Sequence, residues 1–175
     1  NAGAIEAITD VYGAKNVLPF DLNLVKKMCK QGTWNGNTYS YNGIDYTVNE
    51  DNTITANGTA TALSYIYLMY NQSLCNGGEY LLNGNMSGTQ DDHTAYFYIF
   101  DNTTQSMIGF LYGSEDMDFS YVDGHSLTTG IEIPQGKTIN NFTFKPMIRD
   151  SRITDPTYQP YAMPNKELTD IVNND

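Results

Sequence analysis

From residue 34 to residue 147, apolar and polar side chains alternate in short runs closed by Gly, Asn, Asp or Pro. A period of two marks strands with one buried face. Asn42-Gly43, between residues 38–41 and 44–48, predicts a tight hairpin, because both residues accept the positive φ angles of a type I′ turn. Residues 53–59 predict a third strand with a turn or bulge at Asn57-Gly58. Seven more are predicted over 63–70, 79–83, 94–100, 106–112, 117–122, 130–133 and 141–145. Residues 63–70 carry bulky groups on both faces, which predicts a central place in a sheet. No helical pattern separates these strands, so parallel pairing lacks its crossover connections. The expectation is an all-β, antiparallel sandwich.

Helical spacing is confined to the flanks. Ile5, Ile8 and Tyr12 predict a short helix over 4–12, ended by Gly13. Asp21 is placed to cap a helix over 21–31 containing Leu22, Leu24, Val25 and Met28, with Gly32 as its stop. Asn165 is placed to cap another over 165–172. The expected organisation is a connector over 1–13, with Asn1-Ala2 reading as a tag remnant, one domain over 14–163, and a helical connector over 164–175. The connectors hold too few apolar positions to form lone helices in water. They are expected to pack on the domain or on a second copy, as in a homo-oligomer. Pro156 and Pro160 exclude residues 155–161 from a central strand, which predicts an extended latch anchored by Tyr158 and Tyr161.

Composition narrows the functional classes. Twenty acidic residues against nine basic ones, for a net charge of −11, argue against nucleic acid, whose phosphates require clustered Lys and Arg. No apolar run approaches the roughly 20 residues a membrane-inserted helix needs. An acidic surface fits a protein that stays soluble outside the cell, or one that holds Ca²⁺. For calcium the candidate loops are Asp91-Asp92-His93 and Glu115-Asp116-Met117-Asp118. Cys29 and Cys75 allow one disulfide or two thiols, and neither has a metal-ligand spacing.

A set of runs resembles β-sandwich domains in the tail and baseplate proteins of phages and prophages of gut Firmicutes. The set begins with Lys15-Asn16-Val17-Leu18-Pro19 and continues through residues 46–60 and Gly78-Glu79-Tyr80. Phe142-Thr143-Phe144-Lys145-Pro146-Met147-Ile148-Arg149 follows, then Asp155-Pro156-Thr157-Tyr158-Gln159-Pro160-Tyr161 and Asn165-Lys166-Glu167-Leu168-Thr169. Such domains are similar to carbohydrate-binding modules with the galactose-binding type of jelly roll. The resemblance implies a jelly-roll fold, recognition of a cell-surface polysaccharide, and an extracellular or virion (phage tail) location. The alternative is a structural or assembly domain of a tail or baseplate with no ligand of its own.

A sugar site needs flat aromatic rings for the C–H face of a pyranose, and planar polar groups for paired hydroxyls. The candidate rings are Trp34, Tyr39, Tyr41, Tyr96, Tyr98 and Tyr112, with Asp91, Asp92, His93 and Arg149 as polar partners. A tyrosine on a strand more often packs with its hydroxyl at the rim, whereas Trp34 sits in a Gly/Asn-rich loop. For catalysis there is no G-x-S-x-G elbow, no H-E-x-x-H and no P-loop. A non-catalytic binding module is expected.

Overall fold

The computed structural model describes residues 15–83, 93–112 and 116–161. The predicted helices over 4–12 and 165–172, and both connectors, lie outside these residues.

The chain enters along residues 15–20, which are almost wholly buried, and Val17 N–H donates to the Ile148 carbonyl at 2.8 Å. Asp21 then caps helix α1 (Leu22–Met28) by accepting from Leu24 N–H at 2.8 Å. Lys26 and Lys27 occupy its last turn, where the helix dipole favours cations. Seven residues are too few to hold a helix in water. Val25 is fully buried and anchors it to the domain.

Among the described residues twelve strands follow: β1 (Thr33–Asn35), β2 (Thr38–Tyr41), β3 (Ile44–Val48), β4 (Ile54–Thr59), β5 (Ser64–Gln72), β6 (Gly78–Asn83), β7 (Tyr96–Asp101), β8 (Ser106–Tyr112), β9 (Met117–Tyr121), β10 (Leu127–Ile133), β11 (Thr138–Phe144) and β12 (Met147–Asp150). They form sheets in the orders β1-β2-β3-β4-β11, β5-β10-β7-β8 and β12-β6-β9, with every pairing antiparallel. The protein is all-β. The β2–β3 turn has φ of 47° at Asn42 and 87° at Gly43. A Cβ at Gly43 would lie 2.2 Å from the Thr59 carbonyl oxygen, so no other residue fits there.

The alternation works as a core-building device. Ile66, Leu68, Phe97, Ile99, Ile131 and Ile133 turn inward from the four-stranded sheet, and Ile44, Tyr46, Ile54, Ala56 and Phe144 from the five-stranded one, all fully buried. The two layers share one core, with Phe97 and Phe144 rings 5.8 Å apart across it. Tyr46 Oη and Ser64 Oγ share a buried hydrogen bond of 2.8 Å between the layers.

Two placements differ from the sequence reading. β5 is an edge strand of its sheet rather than a central one. Its outer face is bulky because α1 packs over it. Strand β12 follows Pro146, beyond the last predicted strand at 141–145. All four of its residues are buried.

Residues 153–161 have no regular structure and close over the domain as an extended latch. Lys15 Nζ meets Asp155 Oδ2 at 3.0 Å, Asn16 Nδ2 donates to the Gln159 carbonyl at 2.8 Å, and Tyr158 Oη donates to the Asp51 carbonyl at 2.7 Å.

Candidate functional site

Register builds an aromatic face on the outer side of the four-stranded sheet. Directly opposed residues across β5, β10, β7 and β8 are Tyr65, Glu132, Tyr96 and Tyr112 in one row. Tyr67, Gly130, Tyr98 and Phe110 form the next row. Since Phe97, Ile131 and Ile66 point into the core, strand geometry sends these neighbours the other way. Rings touch within and between the rows: Tyr96 lies 5.6 Å from Tyr112 and 5.8 Å from Phe110, and the neighbouring His93 ring is 5.4 Å from Tyr112. On β5 the steps are Tyr65–Tyr67 at 5.3 Å and Tyr67–Tyr70 at 4.9 Å.

Gly130 leaves room on this face that the Tyr98 ring fills. A Cβ there would come within 2.8 Å of the Ile66 carbonyl oxygen and 3.0 Å of Tyr98 Oη. The Tyr98 ring therefore covers bare backbone and is only 7% exposed. Tyr70, Phe110 and Tyr112 remain about half exposed. Tyr96 Oη donates to Glu132 Oε2. Burial, followed by the Glu132 carboxylate, pushes the Tyr96 and Tyr98 hydroxyls above their ordinary range. Burial, followed by the bond with Tyr41, does the same at Tyr65. These phenols are neutral hydroxyls at physiological pH.

A second aromatic group adjoins the first. Trp34 lies 5.0 Å from Tyr39, and Tyr41 meets Tyr65 edge-on at 5.2 Å. Tyr41 and Tyr65 both donate to Gln31 Oε1. Between α1 and β5 a cleft of about 480 Å³ opens, with Tyr65, Tyr67 and Tyr70 on one side and Leu24, Lys27 and Met28 on the other. Cys29 lies in its wall, reduced, and burial pushes its thiol up to about 11.

The sequence-predicted site residues thus fall into separate places. His93, Tyr96, Tyr98 and Tyr112 share the outer face of the four-stranded sheet. Trp34 and Tyr41 border the cleft region, half-buried. Trp34 Nε1 donates to the Cys29 carbonyl at 2.8 Å, and Lys26 Nζ stands 5.6 Å from its ring centroid. Tyr39 is 1% exposed, and its Oη accepts from Gly32 N–H, so its ring is core. Arg149 is also 1% exposed and its guanidinium is already satisfied, which removes it from the polar partners of an accessible site. It pairs with Asp116 through both terminal nitrogens, at 3.2 and 2.8 Å, and Nε donates to the Ile153 carbonyl at 2.8 Å. Asp91 and Asp92 lie outside the described residues. Among those described, no cluster of His, Cys, Asp and Glu is placed to hold a metal such as Ca²⁺. Likewise, no helix is long and apolar enough to cross a membrane. Sequence reading missed Tyr65, Tyr67, Tyr70, Phe110 and Glu132. Their alternation with buried Ile66, Phe97 and Ile131 was the available signal, but only cross-strand register joins them.

No family model matches the chain, and no curated protein matches it. Among solved structures, it is similar to a chain in the crystal structure of accessory secretory protein 1,2 and 3 in Streptococcus pneumoniae. The two are 17% identical with a TM-score of 0.43, over 69% of this chain and 96% of that one.

Proposed function

We propose that this chain is a non-catalytic carbohydrate-binding domain of the jelly-roll type, serving adhesion on a phage tail or a bacterial surface, with its glycan on the outer face of the four-stranded sheet. The observation that carries the reading is the double row of rings across β5, β10, β7 and β8, closed over Gly130 by the Tyr98 ring. Half-exposed Tyr70, Phe110 and Tyr112 offer flat surfaces to the C–H faces of sugars. Glu132, His93 and the neutral phenols offer acceptors and donors to the hydroxyls. Further support is the resemblance of residues 142–149 and 155–161 to tail and baseplate domains, which also favours an extracellular or virion setting.

A structural or assembly role is the second reading. Met107, Phe110 and Tyr112 on the outer strand β8 are 46%, 49% and 44% exposed, and a neighbouring subunit could cover them. A glycan array read beside sedimentation separates the two. Reproducible binding that weakens in Tyr112→Ala, with melting unchanged, supports recognition. Silence across the array from a stable dimer or trimer refutes it in favour of assembly.

A further inference from the structure

The cleft between α1 and β5 gathers positive charge in a strongly negative chain. Three of the nine basic residues, Lys26, Lys27 and Lys30, fall within five positions at the end of α1, and two of them, Lys27 and Lys30, line the cleft. Both are exposed, and neither makes an ion pair among the described residues. The chain carries 20 acidic residues, yet no described Asp or Glu lines this cleft. The opposite wall is the tyrosine ladder of β5. At its end Gln72 Oε1 is buried with no hydrogen-bond partner among the described residues. A buried acceptor left unpaired is costly, and Gln72 is itself a lining residue of the cleft.

We propose that this cleft is the subsite for an anionic sugar unit, which rests on the glycan-binding reading and specifies its ligand. The ammonium groups of Lys27 and Lys30 meet the anion, the tyrosine ladder takes the sugar's C–H face, and Gln72 Oε1, once its amide turns into the cleft, accepts a sugar hydroxyl. Lysine acts as a point charge rather than a planar fork. The class is therefore any sugar bearing a carboxylate or phosphate, and a cleft of about 480 Å³ lies in the usual range for a small-ligand pocket. Charge complementarity selects this occupant: two ammonium groups with no carboxylate lining the cleft attract an anion and give a neutral sugar no such preference.

The test is an array holding uronate, sialylated and phosphorylated glycans beside their neutral counterparts. It is probed with the wild-type chain, with Lys27→Gln/Lys30→Gln, and with Gln72→Leu. Anionic glycans are expected to bind preferentially, more weakly as salt rises, and about tenfold or more weaker in the double lysine variant at unchanged melting temperature. Gln72→Leu is expected to weaken the same glycans. Binding of neutral glycans alone, indifferent to both lysines, overturns the anionic subsite and leaves the glycan reading standing. Anionic binding undiminished in the lysine variant also overturns it. Failure to bind any glycan overturns both. Inorganic phosphate and acetate serve as free anions, and affinity from either equal to that of the sugar would reduce the cleft to an anion site.

Discussion

Replacing Arg149 by Met separates a structural residue from a ligand-binding one. Methionine keeps the apolar stem in the core but removes the guanidinium. The Ile153 carbonyl then loses a donor at 2.8 Å in a buried setting, and Asp116 loses a two-pronged partner at 3.2 and 2.8 Å. An uncompensated buried carbonyl costs about 1–2 kcal/mol. Removing one member of a fully buried ion pair costs about 3–5 kcal/mol, but the Asp116 side chain is 30% exposed and can turn to water. Discounting for that leaves about 1–2 kcal/mol for the pair, and a total near 3 kcal/mol. In a domain of this size the melting temperature should fall by roughly 6–12 °C. Urea unfolding followed by circular dichroism should show a lower midpoint with an unchanged slope. Glycan affinity of the folded variant should match wild type. A stability change below about 1 kcal/mol, or lost binding at full stability, would refute the assignment of Arg149 to the core.

The latch, the acid limb and the buried thiol provide further tests. Tyr158→Phe removes only the bond to the Asp51 carbonyl and should cost about 0.5–1 kcal/mol, with Tyr158→Ala costing clearly more, and superimposable melting curves for all three would dismiss the latch. Burial raises the Asp101 carboxyl, but donation from His125 and from the Thr103 and Thr104 N–H groups outweighs it and holds the group below its usual range. A depressed folded pKa gives stability that is present above the unfolded pKa and lost as pH falls through the folded one. Wild type should therefore lose stability between about pH 5 and pH 2 more steeply than Asp101→Asn, and parallel acid limbs would contradict the pairing. With its thiol pushed up to about 11, Cys29 in a Cys75→Ser background should resist iodoacetamide at neutral pH until the chain is unfolded, and equal rates in both states would refute its burial.

The sequence disclosed local features and concealed those made by distant strands. Asp21 as a cap and Asn42-Gly43 as a turn are decided within a few residues, so both were legible. Most strand centres were legible too, because alternation is local. The place of β5 was not, since bulk on its outer face comes from α1, which lies some 40 residues earlier in the chain. Arg149 looked like a sugar ligand because only the fold shows it between Asp116 and Ile153. The aromatic face escaped for the same reason. Tyr65 and Tyr112 are joined through Glu132 and Tyr96 by a register that no local pattern encodes.

Glycan binding on the outer face of the four-stranded sheet is read by aromatic side-chain NMR during titration with the glycan that scores highest on the array. Saturable shifts are expected in the rings of Tyr65, Tyr67, Tyr70, Tyr96, Phe110 and Tyr112 alone, with core rings such as Phe97 and Phe144 unmoved. Shifts centred on the latch tyrosines or on any other surface, or no saturable shift with any glycan, would contradict it.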